Sequence, residues 1–193
     1  MATIEQTAAD PADFRVHVVA ESIRLFSENG YDATTVDDVA AAAGTSRRTL
    51  FRHFGSKEDL IFADHESLLD QVSQRLDSAG DEDPWWAVCE GAELVFAHFA
   101  ANSDLAARRY AVVSQTPALA DRERVTASRY QRLFERFLQQ RLPGVPRVQT
   151  VSFAAAVTGA HNHLLRRMSR GDAAATAAAL NEELSRLRCA LAG

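Results

Sequence analysis

The sequence has few cysteines and no long uninterrupted hydrophobic run. Its two cysteines, Cys89 and Cys189, lie far apart and show neither CxxC nor Cys/His spacing. This arrangement argues against a zinc site and provides no disulfide framework, so we expect two reduced thiols. The apolar stretches, including residues 153–160, are repeatedly interrupted by Arg, Glu, His or Asp. Because a membrane span needs roughly 18 to 20 apolar residues, no transmembrane helix is expected.

The N-terminus lacks the features of a targeting segment. Residues 1–13 contain acids but neither a basic region nor an apolar region, so no signal peptide is predicted and a cytoplasmic location is expected. The chain has 193 residues, of which 47% are hydrophobic. That is enough for one large domain or for a small domain joined to a larger one. No cofactor and no metal site are predicted.

Positive charge is scarce overall but concentrated in one segment. The formal net charge is −5, which is unusual for a DNA-binding protein because DNA affinity comes largely from neutralising phosphates. Residues 45–57 nevertheless contain no acid. Their basic side chains and histidine are Arg47, Arg48, Arg52, His53 and Lys57. This distribution predicts a local cationic face, weak nonspecific DNA binding and a salt-sensitive specific complex.

Apolar residues recur at three- and four-residue steps, which predicts an all-α fold. A first helix carries the stripe Val16, Val19, Ile23 and Phe26 and ends at Asn29-Gly30. Two short helices follow, one capped by Thr35 and reaching Ala43, the other capped by Ser46 and reaching about Phe54. Ser56 and Asp59 have the spacing of a second capping box, which predicts a longer helix ending near Ala79.

The turn at 80–84, which ends in Pro84, separates these helices from a second helical region. Beyond it one apolar face is formed by Trp85, Val88, Ala92, Val95 and Phe99. Further helices are predicted over 105–115, 118–142, 146–170 and 172–191, with the alanine-rich run 173–179 read as helix. Small residues on the first of the last two helices, and a leucine stripe on the second, predict close helix packing.

Residues 34–60 have the physical features of a helix-turn-helix. Gly44 forms a tight turn between two short helices, and Val36, Val39, Ala40, Leu50 and Phe54 are placed to form a small core. Arg47, Arg48, Thr49 and Arg52 then face outward. A helix with so cationic a first turn suits the major groove, where Arg can bond guanine O6 and N7 together.

The same passage resembles the TetR (tetracycline repressor-like) family of transcriptional regulators. The matching positions are Phe26, Gly30, Thr34-Thr35-Val36, Ala40, Gly44, Thr49-Leu50-Phe51, His53-Phe54 and Ser56-Lys57-Glu58-Asp59-Leu60. The resemblance implies a three-helix helix-turn-helix DNA-binding domain over residues 12–56. It also implies a larger helical ligand-binding and dimerisation domain over residues 57–193.

The resemblance assigns roles to individual residues of the motif. Arg47 and Arg48 are expected to read base edges, Thr49 to contact phosphate or base, and His53 and Lys57 to contact phosphate. The full predicted DNA-binding set is Thr35, Ser46, Arg47, Arg48, Thr49, Phe51, Arg52, His53 and Lys57.

The sequence departs from the family pattern at three points. Phe51 replaces a tyrosine that many relatives use to hydrogen-bond phosphate. Apart from His17, only Arg15 is basic before Arg24, so minor-groove contact by an N-terminal arm is not expected. Asp37 and Asp38 are expected to face the duplex in part, where they would penalise loose binding.

Aromatic residues are concentrated in the second region, where they form either plain core or the lining of an apolar ligand cavity. Gln115 is one further candidate polar group for such a cavity. The predicted ligand-binding set is Phe96, Phe99, Arg109, Tyr110, Val113, Tyr130, Phe134, Phe137 and His161. His161 and His163 are two residues apart, so they point in different directions on a helix. A polar lining or a dimer-interface role therefore fits them better than metal binding or catalysis.

A second resemblance, to actinobacterial mycofactocin-type regulators, comes from Arg108-Arg109-Tyr110 and Thr116-Pro117-Ala118-Leu119. It implies an acyl-CoA-like ligand. The sequence thus predicts a homodimeric repressor, not an enzyme, that leaves a palindromic operator when a small apolar ligand binds. Two alternatives remain: a ligand-independent regulator and an architectural DNA-binding protein without sequence preference.

Overall fold

The computed structural model describes residues 11–191, and every regular element in that range is a helix. Residues 1–10, which form most of the segment for which no signal peptide is predicted, lie outside the described residues. The ten helices are α1 (Pro11–Asn29), α2 (Val36–Ala42), α3 (Arg47–His53), α4 (Lys57–Leu60), α5 (Asp64–Asp77), α6 (Pro84–Ala100), α7 (Ser103–Gln115), α8 (Pro117–Arg141), α9 (Arg147–Ser169) and α10 (Ala177–Leu191). The all-α prediction is confirmed.

The chain divides into two compact units between Ser67 and Leu68. The boundary predicted from the sequence, between residues 56 and 57, therefore falls inside the first unit. Contacts of the short helix α4 with the loop after α1 explain the difference. The side chain of Lys57 donates to the carbonyl of Tyr31, and the Tyr31 hydroxyl donates to Glu58.

The core of the first unit is formed mainly by one face of α1. Val19, Ile23 and Phe26 are buried, as the apolar spacing predicts, whereas Val16 is 45% exposed and does not belong to this core. Val18 replaces it, because position 18 precedes 22 and 25 at helical spacing and all three are buried. The helix ends at Gly30, whose φ of 85° is the left-handed conformation that the sequence predicts there.

The single long helix predicted from residue 57 to about residue 79 is wrong. Helix α4 ends at Leu60, and α5 begins only at Asp64. Leu60, Ile61, Phe62 and Ala63 are consecutive and all buried. A regular helix cannot turn four successive side chains toward one core, and a tight turn, with Phe62 N–H donating to the Asp59 carbonyl, buries them instead.

The second unit is built around α6, whose apolar face is buried as predicted. Trp85 packs edge-on against Phe153 of α9, with ring centroids 4.9 Å apart. Gly91 lets α8 approach closely, because a Cβ placed there would lie 3.0 Å from the Phe134 ring. The largest fully buried side chains of this unit include Phe96, Phe134, Phe153, Leu138 and Leu180.

Helix α10 begins five residues later than predicted, at Ala177 instead of Asp172. Asp172 forms an ion pair with Arg167 at 2.7 Å and accepts a backbone hydrogen bond from Ala174. These contacts fix a turn in which Ala175 is buried. Thr176 then caps the helix by accepting from the N–H of Ala179. High alanine content therefore did not extend the helix over residues 173–176.

Within residues 11–191, no helix is long and apolar enough to cross a membrane.

Candidate functional site

The turn between α2 and α3 has the geometry that the sequence predicts. Gly44 adopts a φ of 63°, and the N–H groups of Gly44 and Thr45 donate to carbonyls of the last turn of α2. A residue with a side chain is strained at this φ. Leu50 and Phe54 are buried on the inner side of α3. The turn and this small core therefore orient the opposite side of α3 toward solvent.

Both short helices start at the predicted caps. Thr35 and Asp38 form a full capping box, in which the Thr35 side chain accepts from the Asp38 N–H at 3.2 Å and the Asp38 carboxylate accepts from the Thr35 N–H at 2.7 Å. Hydrogen bonds from Thr35 lower the pKa of Asp38. Ser46 accepts from the Thr49 N–H at 3.1 Å, and the Ser46 and Thr49 hydroxyls are 2.9 Å apart. Thr35, Ser46 and Thr49 thus hold the helix starts in place.

The outward face of α3 is cationic. Arg47, Arg48 and Arg52 are all exposed, and none of the acids of the first unit lies on this helix. Phe51, on the same face, is 45% exposed. A cationic helix face with one exposed ring has the composition expected of a surface that meets DNA.

Arg47 is held by two neighbours. Its Nη1 donates to Asp37 Oδ2 at 2.8 Å, and its guanidinium carbon lies 5.3 Å from the centre of the Phe51 ring. The first contact joins α3 to α2, and the second runs along α3. The sequence places Asp37 partly toward the duplex but does not predict its contact with Arg47, since nothing local in the chain links residues ten positions apart.

At the end of α3, Arg52 lies 3.3 Å from His53 through Nη2 and Nε2, and the His53 ring packs against Phe14 of α1. Both side chains remain exposed. Arg52 and His53 therefore form a second polar group on the surface near the end of α3.

Lys57 has a structural partner that the sequence did not reveal. Its ammonium lies 4.0 Å from the centre of the Tyr31 ring, and it also donates to the Tyr31 carbonyl. Burial, together with the hydrogen bond to Glu58, raises the pKa of Tyr31, and that bond lowers the pKa of Glu58. Tyr31, Lys57 and Glu58 tie the loop after α1 to α4, so Lys57 supports the first unit whether or not it reaches a phosphate.

In the second unit, four residues of the predicted ligand-binding set lie together near the C-terminal end of α6. The His161 ring meets Phe96 edge-on at 6.1 Å, and the Arg109 guanidinium lies 5.1 Å from the centre of the Phe99 ring. All four side chains are buried. Val113, one turn after Arg109 on α7, is buried as well.

Other members of that set lie elsewhere in the unit. Phe134 packs at Gly91, in the middle of α6, and Phe137 lies beside Arg141, which donates to the Gly80 carbonyl just before α6. Tyr110 is only half-buried, and its hydroxyl accepts from Arg170 Nε at 2.9 Å. The remaining member, Tyr130, is buried in the core. The predicted set therefore does not form one cluster.

His161 combines burial with an unused ring nitrogen. The residue is 8% exposed, and burial lowers its pKa to about 4, so it is neutral near pH 7. Its Nδ1 lies 3.1 Å from Asn162 Oδ1, an acceptor, and this contact favours the tautomer that carries the proton on Nδ1. Nε2 is then an acceptor, and it has no hydrogen-bond partner among the described residues. Gln115, the other polar candidate, is exposed on α7.

Neither cysteine belongs to a metal cluster. Among residues 11–191, no group of three or more His, Cys, Asp or Glu side chains is placed to hold a metal ion. Cys89 is buried and Cys189 is exposed.

Comparison with known proteins finds a family model that matches most of the first unit. Residues 18–63 match the model of the bacterial regulatory proteins of the tetR family. A protein assigned as the mycofactocin biosynthesis transcriptional regulator MftR of Mycobacterium tuberculosis is 28% identical over 156 residues, covering 78% of this chain and 79% of that protein. The relatives are transcriptional regulators, which confirms the predictions of a regulator and not an enzyme.

Solved structures share the fold along nearly the whole chain. A TetR-family transcriptional regulator of Syntrophomonas wolfei has a TM-score of 0.70 at 19% identity, covering 95% of this chain and 97% of that one. The regulator FadR of Bacillus subtilis, solved in complex with stearoyl-CoA, has a TM-score of 0.61 at 16% identity, covering 89% and 96%. At these identities the similarity establishes the fold alone.

Proposed function

We propose that this chain, whose residues 18–63 match the model of the tetR family of bacterial regulatory proteins, is a sequence-specific repressor that a small apolar ligand releases from a palindromic operator. The observation that carries the proposal is the exposed cationic face of α3, which is held outward by the glycine turn at Gly44. This is the arrangement that a recognition helix needs in order to enter the major groove.

Within that face we assign base reading to Arg47 and Arg48 and positioning to the surrounding groups. An arginine that bonds O6 and N7 of guanine discriminates between bases, whereas contacts to phosphate do not. Arg52 and His53 are placed at the end of the helix, and we assign them to the phosphate backbone. Lys57 acts on all sequences alike, partly by holding Tyr31 in place.

A homodimer would supply the two-fold symmetry of the operator. Helix α9 exposes a face of mostly small side chains: Val148 is 72% exposed, and Ser152, Ala155 and Gly159 are exposed, with His163 farther along the same helix. We propose that α9 and α10 pair with their counterparts in a second copy as a four-helix bundle. Such a dimer reads two half-sites when its recognition helices lie about 34 to 36 Å apart or at a multiple of one DNA turn.

We assign the ligand site to the region of Phe96, Phe99, Arg109 and His161. Aromatic side chains with a few fixed polar groups are typical of sites for apolar ligands. The acceptor nitrogen of His161 favours a ligand that carries a hydroxyl or N–H group, and Arg109 favours an anionic group. The regulator FadR, which has a similar fold, was solved in complex with stearoyl-CoA, and this supports the proposal of an acyl-CoA-like effector.

Release requires that the ligand bind the two states of the repressor differently. Shifting the population from almost wholly DNA-competent to almost wholly incompetent takes roughly a 10⁴-fold difference in affinity. Titration calorimetry of a long-chain acyl-CoA against free and operator-loaded repressor tests this requirement. Equal affinities for both forms would contradict the proposed release mechanism.

Substitutions on α3 test the DNA-binding assignment. On a duplex recovered by selection, Arg48→Ala is expected to weaken binding by about 1 to 3 kcal/mol and to relax preference at one base pair. Lys57→Ala is expected to weaken the selected and random duplexes equally and to leave base preference unchanged. If the two variants had the same effect on base preference, the division between reading and positioning residues would be wrong.

A further inference from the structure

The ion pair between Asp37 and Arg47 places a negative charge beside the proposed recognition surface. Asp37 is 60% exposed and Arg47 is 59% exposed, so neither charge is withdrawn from solvent. Exposed pairs of this kind contribute little to folding stability. The consequence of the contact therefore lies in how Arg47 meets DNA.

Two contacts restrict the Arg47 side chain before DNA arrives. Asp37 accepts from Nη1, and the Phe51 ring lies against the guanidinium. An arginine has five N–H donors in a planar fork, so the edge formed by Nε and Nη2 remains available. Two donors on one edge are what guanine O6 and N7 require.

Arg48, the next residue, has a different environment. It is exposed, and within the described part of the chain it forms neither an ion pair nor a side-chain hydrogen bond. Its charge is free to attract phosphates, whereas the charge of Arg47 is already balanced. The two adjacent arginines are therefore not equivalent.

We propose that Asp37 determines specificity by holding Arg47 in position to read a guanine while cancelling its attraction to the phosphates of arbitrary DNA. The inference rests on the proposed function, since it presupposes a DNA-reading α3. The carboxylate is repelled by the phosphates of every sequence. The gain from an oriented Arg47 is obtained only where a guanine is present, so the ratio of specific to nonspecific affinity rises.

The test compares Asp37→Asn with Asp32→Asn, which makes the same change in net charge. Asp32 is exposed on the loop between α1 and α2 and is not in contact with Arg47. Binding is measured by fluorescence anisotropy over a range of salt concentrations. The three probes are the selected duplex, the same duplex with each guanine position changed in turn, and a random duplex.

We expect Asp37→Asn to tighten binding to the random duplex by about five-fold at low salt, the effect of one charge at roughly 4 Å in water. The slope of log affinity against log salt concentration should steepen by about one, which corresponds to about one more released counterion. Preference for guanine should fall several-fold at a single position. Asp32→Asn should leave that preference unchanged. In an Arg47→Ala background, Asp37→Asn should no longer affect the guanine position, since the two residues act together.

If the wild type binds the selected duplex specifically and Asp37→Asn keeps the same preference for guanine, the inference is overturned while the proposed function stands. Equal effects of Asp37→Asn and Asp32→Asn would also overturn it, because net charge alone would then explain the change. A wild type that binds selected and random duplexes equally would instead overturn the proposed function itself. The capping box between Thr35 and Asp38 does not involve residue 37, and thermal melting checks that the variants fold.

Discussion

Acidification is expected to destabilise the second unit through His161, a residue buried in its core. The pKa of His161 is lowered by burial from 6.5 to about 4. In the unfolded chain the imidazole therefore takes up its proton at a higher pH than in the folded unit. Between these two values the unfolded state binds more protons, so stability falls as the pH falls from 6.5 toward 4.

The size of the effect follows from the shift. One unit of pKa corresponds to about 1.4 kcal/mol, so the full window corresponds to about 3 kcal/mol. Above pH 6.5 this loss of stability is absent, because His161 is neutral in both the folded and the unfolded state. His161→Gln keeps a polar side chain but removes the titration. This variant should therefore have a flatter stability profile between pH 6.5 and 4, whatever its stability at pH 7.

Tryptophan fluorescence isolates the unit in which the change occurs. Both tryptophans of the chain lie at the start of α6, and Trp85 is buried against Phe153. Urea unfolding followed by this signal at several pH values gives the stability of the second unit for wild type, His161→Gln and the control His17→Gln. The control changes an exposed histidine of α1, in the first unit. Parallel profiles for wild type and His161→Gln would refute the reasoning.

Three further predictions concern single contacts. Gly91→Ala should destabilise the second unit by about 1 to 3 kcal/mol in the same urea assay, since its Cβ would crowd the Phe134 ring at 3.0 Å; an unchanged midpoint would contradict the close packing. Cys89, whose pKa is raised by burial to about 12, should resist a thiol reagent until unfolding, whereas exposed Cys189 should react in the native protein; rapid modification of both thiols would be inconsistent with the core. Thr35→Ala should lower the stability of the first unit by about 1 kcal/mol, measured by amide hydrogen exchange in α2; unaltered exchange would show that the capping box contributes nothing.

The features that the sequence predicted correctly are those that depend on residues close together in the chain. Thr35, Ser46 and Pro84 mark helix starts, and each begins a helix in the structure. Gly44 marks a turn that only glycine enters without strain. Since caps and turns are set by neighbouring residues, the helix-turn-helix was predictable in detail.

The errors arose where packing between distant residues decides the local structure. The segment after Leu60 leaves the helix because four consecutive side chains are buried. The start of α10 is delayed because Asp172 pairs with Arg167. The spacing of capping residues and the alanine content predict only the local helix preference of the chain, and they carry no information about these tertiary contacts.

The candidate sites were predictable to different degrees for the same reason. The basic residues of α3 lie within six positions of one another, so a single short helix exposes all of them on its surface. The contact of Arg47 with Asp37 depends on how α2 packs on α3. In the second unit the sequence identified aromatic residues, but only the packing separates the group around His161 from Phe134 and Phe137, which lie elsewhere along α6.

Selection of bound sequences from random duplex DNA by the purified chain tests the central claim most directly. The account predicts recovery of a palindromic site, with at least one guanine in each half that Arg47 or Arg48 reads. Its half-sites should be spaced by about one DNA turn or a multiple of it. Recovery of no preferred sequence, with and without a long-chain acyl-CoA, would contradict the claim and favour an architectural DNA-binding protein.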